Sequence, residues 1–203
     1  MGRRAGVNPA ETKAEVLRSA ADAFSAKGYD GASISEIAAA AGVTKGAIYV
    51  HFASKAELFV AVVRDYGKRE LQDVIGSPGG FDPDGPIGLD VYLRIAGAAL
   101  GLPNDDAGTL LMEAAVASRR HPEIAEMIGR WILEDEELMT SAIEASRSDG
   151  LLASASTAPE MARLITMLAL GAAVVGVLRL PPVDQQRWSR LVDEIVSAFR
   201  TPQ

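Results

Sequence analysis

Residues 33–59 read SISEIAAAAGVTKGAIYVHFASKAELF. Ser33 opens S-x-x-E with Glu36, and Ser54 opens a second such box with Glu57. In each, the serine oxygen accepts an orphan N–H of a helix start and the glutamate reaches back to the cap. Between them stands Ala41-Gly42-Val43-Thr44. Gly42 suits the left-handed conformation that ends a helix, and Thr44 suits the N-cap of the next. The stretch therefore predicts a helix, a glycine turn, a capped helix from Lys45 to Phe52, and the start of a third. That is the helix-turn-helix arrangement, whose second helix enters the DNA major groove.

The faces of the second helix agree. Ile48 and Phe52, four apart, are expected to point inward with Val43, Ile37 and Ala38, while Lys45, Gly46 and Tyr49 share another face. A glycine in so short a helix costs about 1 kcal/mol relative to alanine. The cost makes sense where a backbone must come close to another surface.

These residues carry a family resemblance. The segment VLRSAADAFSAKGYDGASISEIAAAAGVTKGAIYVHFASKAELFVAVV, residues 16–63, closely resembles the DNA-binding domain of TetR/AcrR-type transcriptional regulators. Its G-Y-D-G, I-A-A-A-A-G-V, K-G-x-I-Y-x-H-F and S-K-x-E-L-F motifs match in order. The resemblance implies that Lys45 and Gly46 lie closest to base edges, while Tyr49, His51 and Lys55 hold the phosphate backbone. Ser33 and Thr44 cap first and touch phosphate second. Taken singly, Lys45, Tyr49 and Lys55 also read as solvated surface residues, and Arg3 and Arg4 as a tail rather than a minor-groove arm.

Composition sets the limits. The 203 residues suffice for one or two small domains with a real core. There is no cysteine, hence no disulfide framework and no thiolate chemistry. The first residues, MGRRAGVNPAE, lack the apolar core of a secretory signal. The uncharged run Leu164–Leu178 is short for a membrane span. A cytoplasmic protein with no membrane partner is expected. The net charge of −7 is unevenly placed. Residues 1–55 hold seven Lys/Arg against five Asp/Glu, a net of +2, whereas residues 56–203 hold 13 against 22, a net of −9. The basic part coincides with the helix-turn-helix.

Helical spacing and breakers predict an all-α chain. A first helix starts at Asn8-Pro9 and stops at Gly28, with Leu17, Ala20, Ala21 and Phe24 as its apolar stripe. A longer one runs from Ser54 toward Ile75, and the Gly/Pro/Asp-rich stretch Gly76 to Pro86 reads as the clearest linker. Further helices are expected at about 87–101, 105–119, 123–148, 158–179 and 184–199. Residues 1–55 are taken as a three-helix DNA-binding domain and 56–203 as a helical effector-binding and dimerisation domain.

No catalytic, metal or cofactor constellation emerges. His51 and His121 are the only histidines, and neither a G-x-S-x-G elbow nor a phosphate-binding G-x-x-x-x-G-K-[ST] loop is present. An enzyme is not expected. Glu113, inside an apolar stretch, either faces a cationic ligand, pairs with an arginine such as Arg94 or Arg130, or reaches solvent. Tyr92, Arg94 and Trp131 join it as candidate pocket residues. The small residues Ala169, Ala172, Ala173 and Gly176 form a stripe on which another helix can come close; the helix reads as a buried core helix or, with Leu164, Leu168, Val175 and Leu178 able to serve the core, the stripe reads as a dimer seam. The resemblance implies a homodimer through the last two helices, to which Leu191, Ile195, Val196 and Phe199 would contribute. It further implies a ligand-responsive repressor that a small lipophilic effector releases from a palindromic operator in double-stranded DNA. The rival expectation is an effector-independent DNA-binding or architectural protein of the same fold.

Overall fold

The computed structural model describes residues 9–75, 106–148, 157–178, 181 and 183–199. The described residues form eight helices and no strand: α1 (Pro9–Gly31), α2 (Ile34–Ala40), α3 (Lys45–His51), α4 (Lys55–Ile75), α5 (Asp106–Ser118), α6 (Pro122–Ser148), α7 (Ala158–Val177) and α8 (Gln185–Phe199). The expected linker at 76–86 and helix at 87–101 lie outside the described residues, as do Tyr92 and Arg94.

The chain divides into two compact units, residues 1–68 with 109–128, and residues 69–108 with 129–203. This departs from a division at residue 55, for a reason visible in the packing. Leu58, Phe59, Val62 and Val63 of α4 are buried, and Phe59 meets Phe24 of α1 edge to face at 4.9 Å between ring centroids. The first half of α4 thus helps to complete the core of the helix-turn-helix.

In the first unit, α1 buries Val16, Leu17, Ala20, Ala21 and Phe24, the stripe that the spacing predicts. Gly28 breaks the helix with φ 69° and ψ 174°, a conformation that a Cβ makes costly. Leu110, Ala114 and Ala117 of α5 and Ile124 of α6 are also buried.

In the second unit, Ile143, Ala158, Met161, Ala162 and Ile165 pack together with Met139 against them. Arg163 binds Glu136 of α6 through two parallel hydrogen bonds of 2.6 and 2.7 Å. That fork geometry is the stronger form of an Arg–carboxylate contact. It holds Glu136 ionised, its carboxyl below the usual range chiefly through the hydrogen bond from Arg163.

Helix α7 corrects the expected assignment of faces. Leu164 is 42% exposed and Leu178 59%, so neither serves the core. The small-residue stripe is instead approached by the chain's own α5. At Gly108 a Cβ would lie 2.8 Å from the Ala173 carbonyl oxygen and 2.8 Å from Val177 Cγ2. The exposed apolar residues Leu164, Met167, Val174 and Leu178 recur at helical spacing on the opposite face. By length and composition α7 is also apolar enough to cross a membrane, with 20 residues and a mean hydropathy of 1.7. The uncharged run was expected to be too short for this. Within the second unit its inner face is closed by Met161, Ala162 and Ile165.

Candidate nucleic-acid interface

The local geometry around α3 follows from backbone bonding. Ser33 Oγ accepts the Glu36 N–H at 3.2 Å, and Glu36 Oε2 accepts the Ser33 N–H at 3.3 Å, the reciprocal box that the sequence predicts. At the far end of α2 the Val43 N–H reaches the Ala38 carbonyl at 3.0 Å and the Gly42 N–H reaches that of Ala39 at 3.2 Å. These are the paired bonds of a Schellman turn. Gly42 supplies its φ of 66°. Among the described residues nothing lies within 4 Å of where its Cβ would be, so conformation rather than space calls for glycine there. Thr44 Oγ1 then accepts the Ala47 N–H at 3.2 Å, and α3 begins. Its end is set by Phe52, whose backbone is extended. Beyond it, Ser54 Oγ accepts the Glu57 N–H at 3.0 Å. The Glu57 carboxylate takes the Ala53 N–H at 2.6 Å, one residue earlier than the standard box.

Pinned at both ends, α3 turns two unlike faces outward and inward. Ile48 is fully buried and Ala47 and His51 are half-buried. Lys45, Gly46, Tyr49 and Val50 are exposed. At about 100° per residue these four occupy one continuous arc of about 140°, in the order Lys45, Tyr49, Gly46, Val50. Gly46 sits inside the arc with only Thr44 Oγ1, at 3.7 Å, near the position of a Cβ. Nothing among the described residues requires glycine there.

The expected site residues therefore separate. Lys45, Gly46 and Tyr49 come together on the exposed arc. Ser33 and Thr44 are engaged as caps. His51 lies on the flank, its ring 6.3 Å from that of Phe52. The Lys55 ammonium lies over the Tyr29 ring, 4.4 Å from its centroid, and burial lowers its pKa against the opposing pull of Asp30. Val50, at 79% exposure, belongs to the arc and was not among the expected residues. Its position beside Gly46 on a helical wheel was the available signal.

A second group of contacts, which sequence spacing did not reveal, anchors the end of α1. Glu113 of α5 accepts the Tyr29 N–H at 2.7 Å, and its carboxylate lies against Gly28, where a Cβ would come within 3.0 Å of Oε1. One oxygen of Glu113 is thus engaged by a backbone amide of the first unit. The backbone N–H left unmatched by the break at Gly28 is what draws it there. Asp30 meets Arg120 at 2.6 Å and His121 Nε2 at 2.7 Å, and the hydrogen bond from His121, then that from Arg120, holds its carboxyl below the usual range. The Tyr29 and His121 rings meet edge to face at 4.8 Å. Burial, reinforced by Glu123 and Asp30, raises the Tyr29 hydroxyl pKa. His121, in the loop just before α6, links the end of α1 to the start of α6.

Comparison with known proteins bears on the same segment. Residues 16–62 match the family described as bacterial regulatory proteins, tetR family. That match covers the N-terminal helices alone. Among similar proteins, the HTH-type transcriptional repressor AcnR of Corynebacterium glutamicum is 34% identical over 79 residues, 39% of this chain and 42% of that protein. The HTH-type transcriptional regulator TtgR of Pseudomonas putida is 43% identical over 63 residues, 31% of this chain and 30% of that one. The matches thus span about two fifths or less of these relatives. The fold likeness runs further. Salmonella enterica GusR superposes with a TM-score of 0.71 at 18% identity, over 95% of this chain and 96% of that chain.

Proposed function

We propose that this protein is a homodimeric transcriptional regulator that binds a palindromic operator through α3 and is released from it by a small lipophilic effector, acting as a repressor. The observation that carries the reading is the exposed arc of Lys45, Tyr49, Gly46 and Val50 on a helix pinned at both ends. A helix of seven residues is about 10 Å long, and the major groove is about 12 Å wide. Lys45 is placed to donate to guanine O6 and N7, the bare backbone at Gly46 lets the helix come close, and Tyr49 donates to a phosphate oxygen.

The partner in the dimer is a second copy, seated on the exposed row Leu164, Met167, Val174 and Leu178 of α7, with Leu191 of α8. A two-fold axis then sets the spacing of the two α3 helices, and the operator repeats it as an inverted pair of half-sites. Selection of bound sequences from a random DNA pool, followed by footprinting, tests this. An inverted repeat with half-sites about one helical turn apart is expected, and recovery of unenriched sequence would reject it.

Effector release is a linkage between two sites. A ligand that prefers one conformation of the C-terminal helices weakens DNA binding by the same factor by which DNA weakens its own binding, typically about 5–150-fold. The Tyr29 N–H takes one oxygen of Glu113 and leaves its charge in place, so cationic, neutral and acidic lipophiles are all classes to test. Trp131 remains a candidate wall. The effector-independent reading gains from the same observation, because one oxygen of the polar residue expected to orient a ligand is engaged elsewhere. Native mass spectrometry of the purified dimer, and titration of cationic, neutral and acidic lipophiles against the operator complex, separate the two. No co-bound molecule and no release of DNA would leave the effector-independent regulator.

A further inference from the structure

We propose that Val50 is a specificity-determining residue that reads the methyl group of one thymine in each operator half-site. The inference rests on α3 being the DNA-reading helix. At 79% exposure Val50 exceeds every other exposed large apolar side chain among the described residues, including Leu138 at 71%. It stands on a helix whose other face is closely packed around Ile48. Its neighbour on the arc is Gly46, where the chain itself leaves open space around the missing side chain.

The chemistry of the occupant follows from the groove. The base edges of the major groove present hydrogen-bond donors and acceptors, together with one apolar group, the C5 methyl of thymine. Valine has no donor or acceptor to offer a base or a phosphate. What it contributes is a branched apolar surface, held stiffly at χ1 by the helix backbone. A contact with the thymine methyl removes both apolar surfaces from water. Lys45, the polar reader, occupies the other end of the arc, so the polar and apolar readers address different base pairs.

The test uses the full-length protein and an operator selected from a random DNA pool. Each thymine is replaced in turn by deoxyuracil, which removes the methyl and leaves base pairing intact. Wild-type affinity is expected to fall about fourfold at one thymine per half-site, the value of one buried methyl. It should fall about fifteenfold when both half-sites are altered. Val50→Ala is expected to bind the parent operator about as weakly as the wild type binds the doubly altered one, and to be insensitive to uracil there. Because the side chain is exposed, thermal unfolding of Val50→Ala is expected to match the wild type, so lost affinity is not lost fold. An equal uracil penalty in wild type and Val50→Ala would assign the methyl to another residue and overturn the proposal. So would a wild type indifferent to every thymine methyl. Failure to select any consensus would instead defeat the reading of α3 as a DNA-reading helix, and this proposal with it.

Discussion

Gly46 separates stability from function at a single residue. A Cβ there would meet only Thr44 Oγ1 at 3.7 Å, ordinary contact distance. Gly46→Ala is therefore expected to leave the fold intact and to raise helix stability by up to about 1 kcal/mol. The same methyl stands on the exposed arc, where it holds the helix off the groove. Affinity for operator DNA is expected to fall at least tenfold while the midpoint of thermal unfolding holds or rises. Calorimetry beside a gel-shift titration measures both, and undiminished operator affinity would remove Gly46 from the interface. Asp30 gives the corresponding pH dependence. Its folded pKa lies below the reference 3.8 because His121 and Arg120 bond its carboxylate. The contribution is complete above the unfolded value and is lost as pH falls through the lower folded one. Asp30→Asn is expected to lower urea midpoints at neutral pH and to flatten their decline in acid below about pH 4. Parallel acid limbs in the two proteins would show that the pair adds nothing to stability.

Among the elements, those written in local chemistry were legible and those decided by distant chain were not. Capping boxes, the Gly42 turn and the break at Gly28 involve residues within a few positions of one another, so the starts of α1, α3 and α4 were predicted within a residue, while α1 resumes past Gly28 to Gly31. The Schellman turn supplies a check. Gly42→Ala forces a Cβ into a left-handed backbone, at a cost of about 1–2 kcal/mol, although it meets no neighbouring atom. A variant as stable as wild type would mean that the turn had rearranged. Glu113 could not be read in this way, because the amide it satisfies belongs to Tyr29, 84 positions earlier. Helix α7 failed differently. Both of its faces are apolar, one rich in Ala and Gly and the other in Leu, Met and Val, so periodicity marks two faces without saying which is covered. The approach of Gly108 to Ala173 decides it. Gly108→Ala places a methyl 2.8 Å from a backbone oxygen, and overpacking of that kind costs about 1–3 kcal/mol. Chemical denaturation is expected to show the loss in stability.

For the whole molecule, this exchange of faces reverses which substitutions break the dimer. If the small-residue stripe formed the seam, Ala173→Leu would dissociate the subunits. The Ala173 side chain is half-buried and its carbonyl lies against Gly108 of its own chain, so that substitution is expected to destabilise each subunit instead, by about 1–3 kcal/mol. The exposed row offers the opposite behaviour. Met167 is 63% exposed, so a glutamate there is hydrated in the isolated subunit and leaves its fold intact. In a two-fold dimer seated on this row the same surface meets itself, and the carboxylate is introduced once from each subunit. Burying it without a partner costs several kcal/mol. Met167→Glu is therefore expected to sediment as a monomer at concentrations where the wild type is a dimer, with an unchanged helical spectrum. DNA supplies the second measurement. A monomer engages one half-site at a time and loses the advantage of the linked second contact, which typically raises affinity 10²–10⁴-fold. Its affinity for the full operator is expected to drop toward that for an isolated half-site, where wild type and variant bind alike. A Met167→Glu protein that remains dimeric and still prefers the full operator would place the seam away from this face of α7.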